Sequence, residues 1–112
     1  MSRAWMPFYV GDYLRDTMHL STAEHGAYCL LLFYYWNTGA LPDDDRHLAR
    51  IARMSLRQWR RHRPTLQTFF YDGWKHKRVE SELNRAEIVR LKRISSGQKG
   101  GIIASINRFK KR

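Results

Sequence analysis

The sequence predicts a mainly α domain with a small β-hairpin, and three features carry that expectation. Ser21-x-x-Glu24 stands directly before a long apolar run, as a helix-opening capping box does. Two short segments of helical periodicity follow, separated only by Arg53-Met54-Ser55. Asp72-Gly73 then lies between two aromatic runs, a strong short-range hairpin signal. The chain has 112 residues, enough for one domain of modest core. Its four Trp, six Tyr and five Phe are too many for a disordered basic chain, so that core is packed.

In chain order, residues 5–20 mix aromatics with Pro7 and Gly11 without a helical period, which predicts an extended arm laid on the body. The capping box then opens a helix to about Asn37, with Gly39 placed to end it in the left-handed conformation. This helix is apolar nearly all round. Ala27, Leu31, Tyr34 and Tyr35 line one side, and Cys29, Leu32, Phe33 and Trp36 the other. Both sides therefore need cover, from the arm and a later helix or from a second subunit. Gly26 inside it points to a close backbone approach.

Asp43-Asp44-Asp45 caps a short helix to about Arg53, which places Leu48, Ile51 and Ala52 opposite Arg46, Arg50 and Arg53. Ser55 caps the next helix. With Trp59 set at the origin, Leu56, His62 and Leu66 fall within about 60° of it as a buried stripe. Arg57, Arg60 and Arg61 fall at roughly 100° to 200°, facing outward with Gln58 beside them. Pro64 is expected to kink or restart the helix. Phe69–Tyr71 and Trp74–Arg78 are the expected strands of the hairpin. A last helix from Val79 to about Ile94 gathers Val79, Leu83, Ala86, Leu91 and Ile94 on one side. Ser95 to Gly101 reads as a flexible break, and 102–112 as a frayed amphipathic helix or a disordered basic segment. The expected organisation is an arm over 1–20, a domain over 21–94 and a basic Gly- and Ser-containing tail over 95–112.

Helix, short turn, helix and hairpin is the order of a winged helix-turn-helix. The charge sits where such a domain needs it. Residues 1–45 carry a net −4 and residues 46–112 a net +15, within an overall +11. A surplus of that size implies a polyanionic partner, nucleic acid first and an anionic membrane second, with simple solubility as the blander alternative. The winged arrangement makes double-stranded DNA the expected partner. Arg57, Gln58, Arg60 and Arg61 would face the major groove, and Lys75, Lys77 and Arg78 would touch the backbone from the wing. Arg50 and Arg53 would reach flanking phosphates.

Other classes find less support. There is no Walker loop, HExxH or G-x-S-x-G, so no enzyme is expected. His25 and Cys29, four apart, read as packing neighbours rather than as a base and its nucleophile. A single cysteine excludes a disulfide framework and a cysteine zinc site, His19, His47, His62 and His76 share no ligand spacing, and no cofactor or metal is expected. The longest apolar run, Ala27 to Trp36, is too short to span a bilayer, and the N-terminus lacks a signal-peptide stretch, which predicts a cytoplasmic protein with no membrane partner. The rival to DNA binding is docking to a protein, either a homodimer through Cys29, Leu32, Phe33 and Trp36 or a host or phage factor.

The segments WMPFYVGDYLRDTMHLSTAEHGAYCLLLFYYW, GALPDDDRHLARIARMS, FFYDGWKHKRVESEL and GQKGG together resemble the YdaU-like family of phage and prophage proteins, over about residues 5–101. That family is formally a domain of unknown function whose members often occur among phage replication genes. The resemblance implies a DNA-binding, winged-helix-like domain similar to the N-terminal part of phage replication initiators. A host-modulating module or a transcriptional regulator are the alternative roles.

Overall fold

The computed structural model describes the backbone of residues 3–111 and the side chains of residues 3–97. Five helices follow in order: α1 Val10–Asp16, α2 Thr22–Thr38, α3 Asp45–Ile51, α4 Leu56–Gln67 and α5 Lys77–Lys111. Two compact units are distinguished, Met1–Ser81 and Glu82–Arg112. Among the described residues the architecture is all-α, with no strand.

Helix α2 is the pillar of the first unit. Its capping box closes as expected: the Glu24 amide donates to Ser21 Oγ at 3.1 Å and the Ser21 amide to the Glu24 carboxylate at 3.0 Å. Gly39 ends it at φ 94°, its N–H reaching the Tyr35 carbonyl at 2.7 Å. Ala27, Tyr28, Leu31, Leu32, Tyr35 and Trp36 are buried, and α3 and α4 pack against this helix with Leu48, Ala49, Ile51, Trp59 and Leu66. Phe33 stays 49% exposed. Gly26 has no neighbour within 4 Å of where a Cβ would stand, so it marks no close approach.

The N-terminal segment differs from an extended arm. Val10–Asp16 forms a helix despite Gly11, with Arg15 paired to Asp12 at 3.1 Å. The buried Thr17 ends it, its amide and hydroxyl both donating to the Tyr13 carbonyl. The residues before it do cover α2, because the Trp36 indole donates to the Trp5 carbonyl at 2.8 Å and the Arg3 guanidinium to the Trp36 carbonyl at 2.7 Å.

The expected hairpin is a correction. Asp72 and Gly73 do take positive φ, 46° and 84°, and Tyr71 and Lys75 exchange both backbone hydrogen bonds. That one bridge is isolated, and no wing extends from it. Burial explains why. Trp74 is 4% exposed and packs 5.5 Å from Trp59 and 5.1 Å from Phe70, so the aromatic run fills the core instead of lining a ribbon. Immediately afterwards His76 starts a helix: its Nδ1 accepts the Val79 amide at 3.3 Å and its carbonyl the Glu80 amide at 2.9 Å. Lys77 and Arg78 therefore lie in the first turn of α5 and not on a strand.

Helix α4 runs through Pro64 without restarting, so the Arg60 carbonyl loses only its own i+4 donor. Backbone helix also continues through Ser95–Gly101, where composition predicts a break. In the second unit Ile88, Val89, Leu91 and Ile94 are exposed. The amphipathic character expected of 102–112 lies outside the described side chains.

Candidate nucleic-acid interface

Helix α4 is set by its ends and by its buried face. Ser55 and Gln58 form a second capping box, with the Ser55 amide donating to Gln58 Oε1 at 3.0 Å and the Gln58 amide to Ser55 Oγ at 3.1 Å. Gln58, expected at the nucleic-acid surface, thus spends its carbonyl on holding the helix start. Trp59 and Leu66 are fully buried below. With that face turned inward, helical geometry turns Arg57, Arg60 and Arg61 outward, and all three are exposed.

Three nearby acids, Asp45, Glu24 and Asp44, bond within the chain, while Asp43 is exposed. Asp45 on α3 accepts the Trp59 indole N–H at 2.9 Å and the Arg63 guanidinium at 3.1 Å. Glu24 on α2 meets His62 Nδ1 at 3.0 Å. The Ser21 amide, and then His62, hold its carboxyl below the usual carboxylate range. Asp44 accepts the His47 amide as the N-cap of α3. In contrast, Arg50, Arg53, Arg57, Arg60 and Arg61 are exposed and make no side-chain hydrogen bond or ion pair among the described residues.

The turn between α3 and α4 contains an unusual backbone. Arg53 adopts φ 60°, a conformation that favours glycine. Its amide bonds the Arg50 carbonyl at 3.1 Å and the Met54 amide the Ala49 carbonyl at 2.9 Å. This is the Schellman pattern, with arginine at the position glycine usually holds.

The three cations expected on a wing are dispersed. Arg78 donates to Asp12 at 2.7 Å and lies 4.3 Å from the centre of the Tyr9 ring, bound to its own chain. That hydrogen bond lowers the Asp12 pKa and raises that of Arg78. Lys75 lies 3.4 Å from the exposed Asp72 carboxylate. Lys77 is exposed on α5.

The residues expected at a docking surface also divide. Leu32 and Trp36 are buried, and Cys29, Phe33 and the edge of Trp36 line an open groove of about 1040 Å3 between the N-terminal segment, α2 and α3. His25 and Cys29 do not face each other alone. The Tyr13 hydroxyl lies 2.8 Å from His25 Nδ1 and 3.3 Å from Cys29 Sγ, and burial raises its pKa. Among the described residues no group of three His, Cys, Asp or Glu side chains gathers as a metal site, and no helix is long and apolar enough to cross a membrane.

Sequence reasoning missed the inward work of Asp45, which reads as one of three capping acids, and of His76, a rare cap type. The spacing Asp45 to Trp59 is not a local one, so no short-range pattern reveals it.

The profile of the family described as "Protein of unknown function (DUF1376)" matches residues 4–84. The chain belongs to this family. The DUF1376 match spans α1 to α4 and the first turns of α5, so it takes in the whole arginine-bearing surface. The chain is also similar to the "Uncharacterized protein YdaU" of Escherichia coli (strain K12), 44% identical over 97 residues. That alignment covers 84% of the chain and 34% of YdaU, so the chain spans about a third of the length of this curated relative. No solved structure matches the DUF1376 chain.

Proposed function

We propose that the Met1–Ser81 unit binds double-stranded DNA, with α3 and α4 acting as a helix-turn-helix and α4 presented to the major groove. One observation carries this reading: Arg50, Arg53, Arg57, Arg60 and Arg61 on α3, α4 and their turn are exposed without internal partners, while Asp44, Asp45 and Glu24 beside them bond within the chain. Arginine forks match both phosphate oxygens and the acceptor edge of guanine. The wing has no part in the mechanism. Phosphate contact falls to Arg50, Arg53 and the α4 arginines, while Arg78 stays clamped to α1. A connection of this binding with the initiation of prophage DNA replication is part of the same proposal, and the family resemblance supports it.

A salt titration of duplex binding tests the reading. Five phosphate contacts give a log–log slope of about −4.5. Changing Arg57, Arg60 and Arg61 to Ala leaves two contacts and a slope of about −2, with affinity falling steeply at 150 mM salt. Arg78→Ala leaves the slope unchanged. Unaltered affinity in the triple variant would overturn the assignment of α4.

A further inference from the structure

The groove beside α2 shares only Arg50 and Arg53 with the DNA reading, and it exposes three aromatic side chains, Phe8 being 39% exposed. Trp5 is 75% exposed and Phe33 is 49% exposed, and both line it. At about 1040 Å3 it exceeds most small-molecule pockets and suits a segment of chain. Its rim has one sign. Arg3, His47, Arg50 and Arg53 line it, and no described lining residue is acidic. The Arg3 guanidinium is engaged by the Trp36 carbonyl, which leaves Arg50 and Arg53 as the free cations.

We propose that this groove docks an acidic, amphipathic peptide segment of a partner protein. Its apolar side chains lie on Trp5 and Phe33, and its carboxylates meet Arg50 and Arg53. Charge selects an acidic occupant. A second copy of a chain carrying +11 would bring like charge to a cationic rim. A single-stranded nucleic acid shares the negative charge and would find Trp5, Phe8 and Phe33 to stack on, so displacement by an oligonucleotide separates it from a peptide. Because Arg50 and Arg53 also serve the DNA surface, an occupied groove competes with DNA. That competition rests on the DNA reading, and the docking itself does not.

A random twelve-residue display library selected against the full chain tests the docking. Enriched peptides combine Asp or Glu with Trp, Phe or Leu. A synthetic enriched peptide binds about thirtyfold more weakly to Phe33→Asp, and to the Arg50→Glu/Arg53→Glu double variant, than to the parent chain. Both changes fall on exposed side chains, and unchanged thermal midpoints verify folding. Phe33→Asp retains duplex binding, and the triple Ala variant of Arg57, Arg60 and Arg61 retains the peptide. No enrichment, enrichment without acidic residues, or affinity indifferent to both variants would overturn the docking. So would a dT12 oligonucleotide that displaces the peptide and needs Phe33. A chain that binds the peptide but no duplex would refute the DNA reading and leave the docking standing.

Discussion

Removing the Asp45 carboxylate should loosen the joint between α3 and α4 and weaken the proposed DNA binding without touching an exposed arginine of either helix. The Trp59 indole is fully buried, and its N–H has Asp45 as acceptor at 2.9 Å. Asp45→Ala orphans that donor at a cost of about 1–3 kcal/mol. The accompanying ion pair to Arg63 is part-exposed, at 37% and 29%, so screening holds its share to about 0.2–1 kcal/mol. Together these give about 2–3 kcal/mol, which for a chain of this size lowers the thermal midpoint by roughly 8–12 °C. Urea unfolding of Asp45→Ala, Trp59→Phe and the double variant isolates the shared hydrogen bond as a coupling of about 1–2 kcal/mol. Asp45→Asn, which retains one acceptor oxygen, recovers about half of the loss. A coupling below about 0.5 kcal/mol would refute the reasoning, because the bond would then be no better than water.

Acidification should destabilise the fold first through His76. Burial lowers its pKa below the ordinary value, and its Nδ1 must stay unprotonated to accept the Val79 amide. The unfolded chain therefore binds a proton at higher pH than the folded one. Stability is full above about pH 6.5 and falls as pH drops from there toward the lower folded pKa. Urea midpoints at pH 7.5 and 5.5 measure the loss, which His76→Asn should reduce. Arg53→Gly should raise stability by about 1 kcal/mol by relieving the left-handed backbone, while the salt slope of DNA binding flattens by about 0.9. Gly26→Ala should add up to about 1 kcal/mol in thermal or urea unfolding, since a Cβ there meets nothing within 4 Å.

What could be read ahead of the structure follows the range of the interactions involved. The starts of α2 and α4 depend on Ser21 with Glu24 and on Ser55, all bonded within three residues, and both are legible. The stripe of Trp59 and Leu66 follows from helical period alone. The hairpin does not form because an Asp-Gly pair between aromatic runs fixes a turn but not what its aromatics touch. Trp74 is drawn under Trp59, fifteen residues earlier, and His76 then caps a helix where a second strand was expected. Helix α1 is hidden by Gly11 and by an irregular apolar pattern, since what anchors it is Tyr13, stacked on Tyr28 and bonded to His25, with Thr17 closing on its carbonyl. Continuation of α5 through Ser95–Gly101 reflects the ease of extending a helix already nucleated, against a cost of about 1 kcal/mol for each glycine. At the site, the α4 arginines follow from the helical wheel. The neutralisation of Asp45 and the capture of Arg78 needed the tertiary fold.

The two indoles of Trp59 and Trp74, 5.5 Å apart and tilted 42° to each other, make the domain optically self-reporting. One ring is tied to α3 through Asp45 and the other rides on the turn after α4, so both report on the joint that the proposed DNA binding would load. Rings this close couple their excited states, and the near-ultraviolet circular dichroism then depends on their mutual angle. An unchanged spectrum on saturation with duplex would mean that α3 and α4 dock as a preformed rigid body, with little ordering entropy to offset. A changed spectrum would mean that part of the binding energy is spent on reshaping the joint.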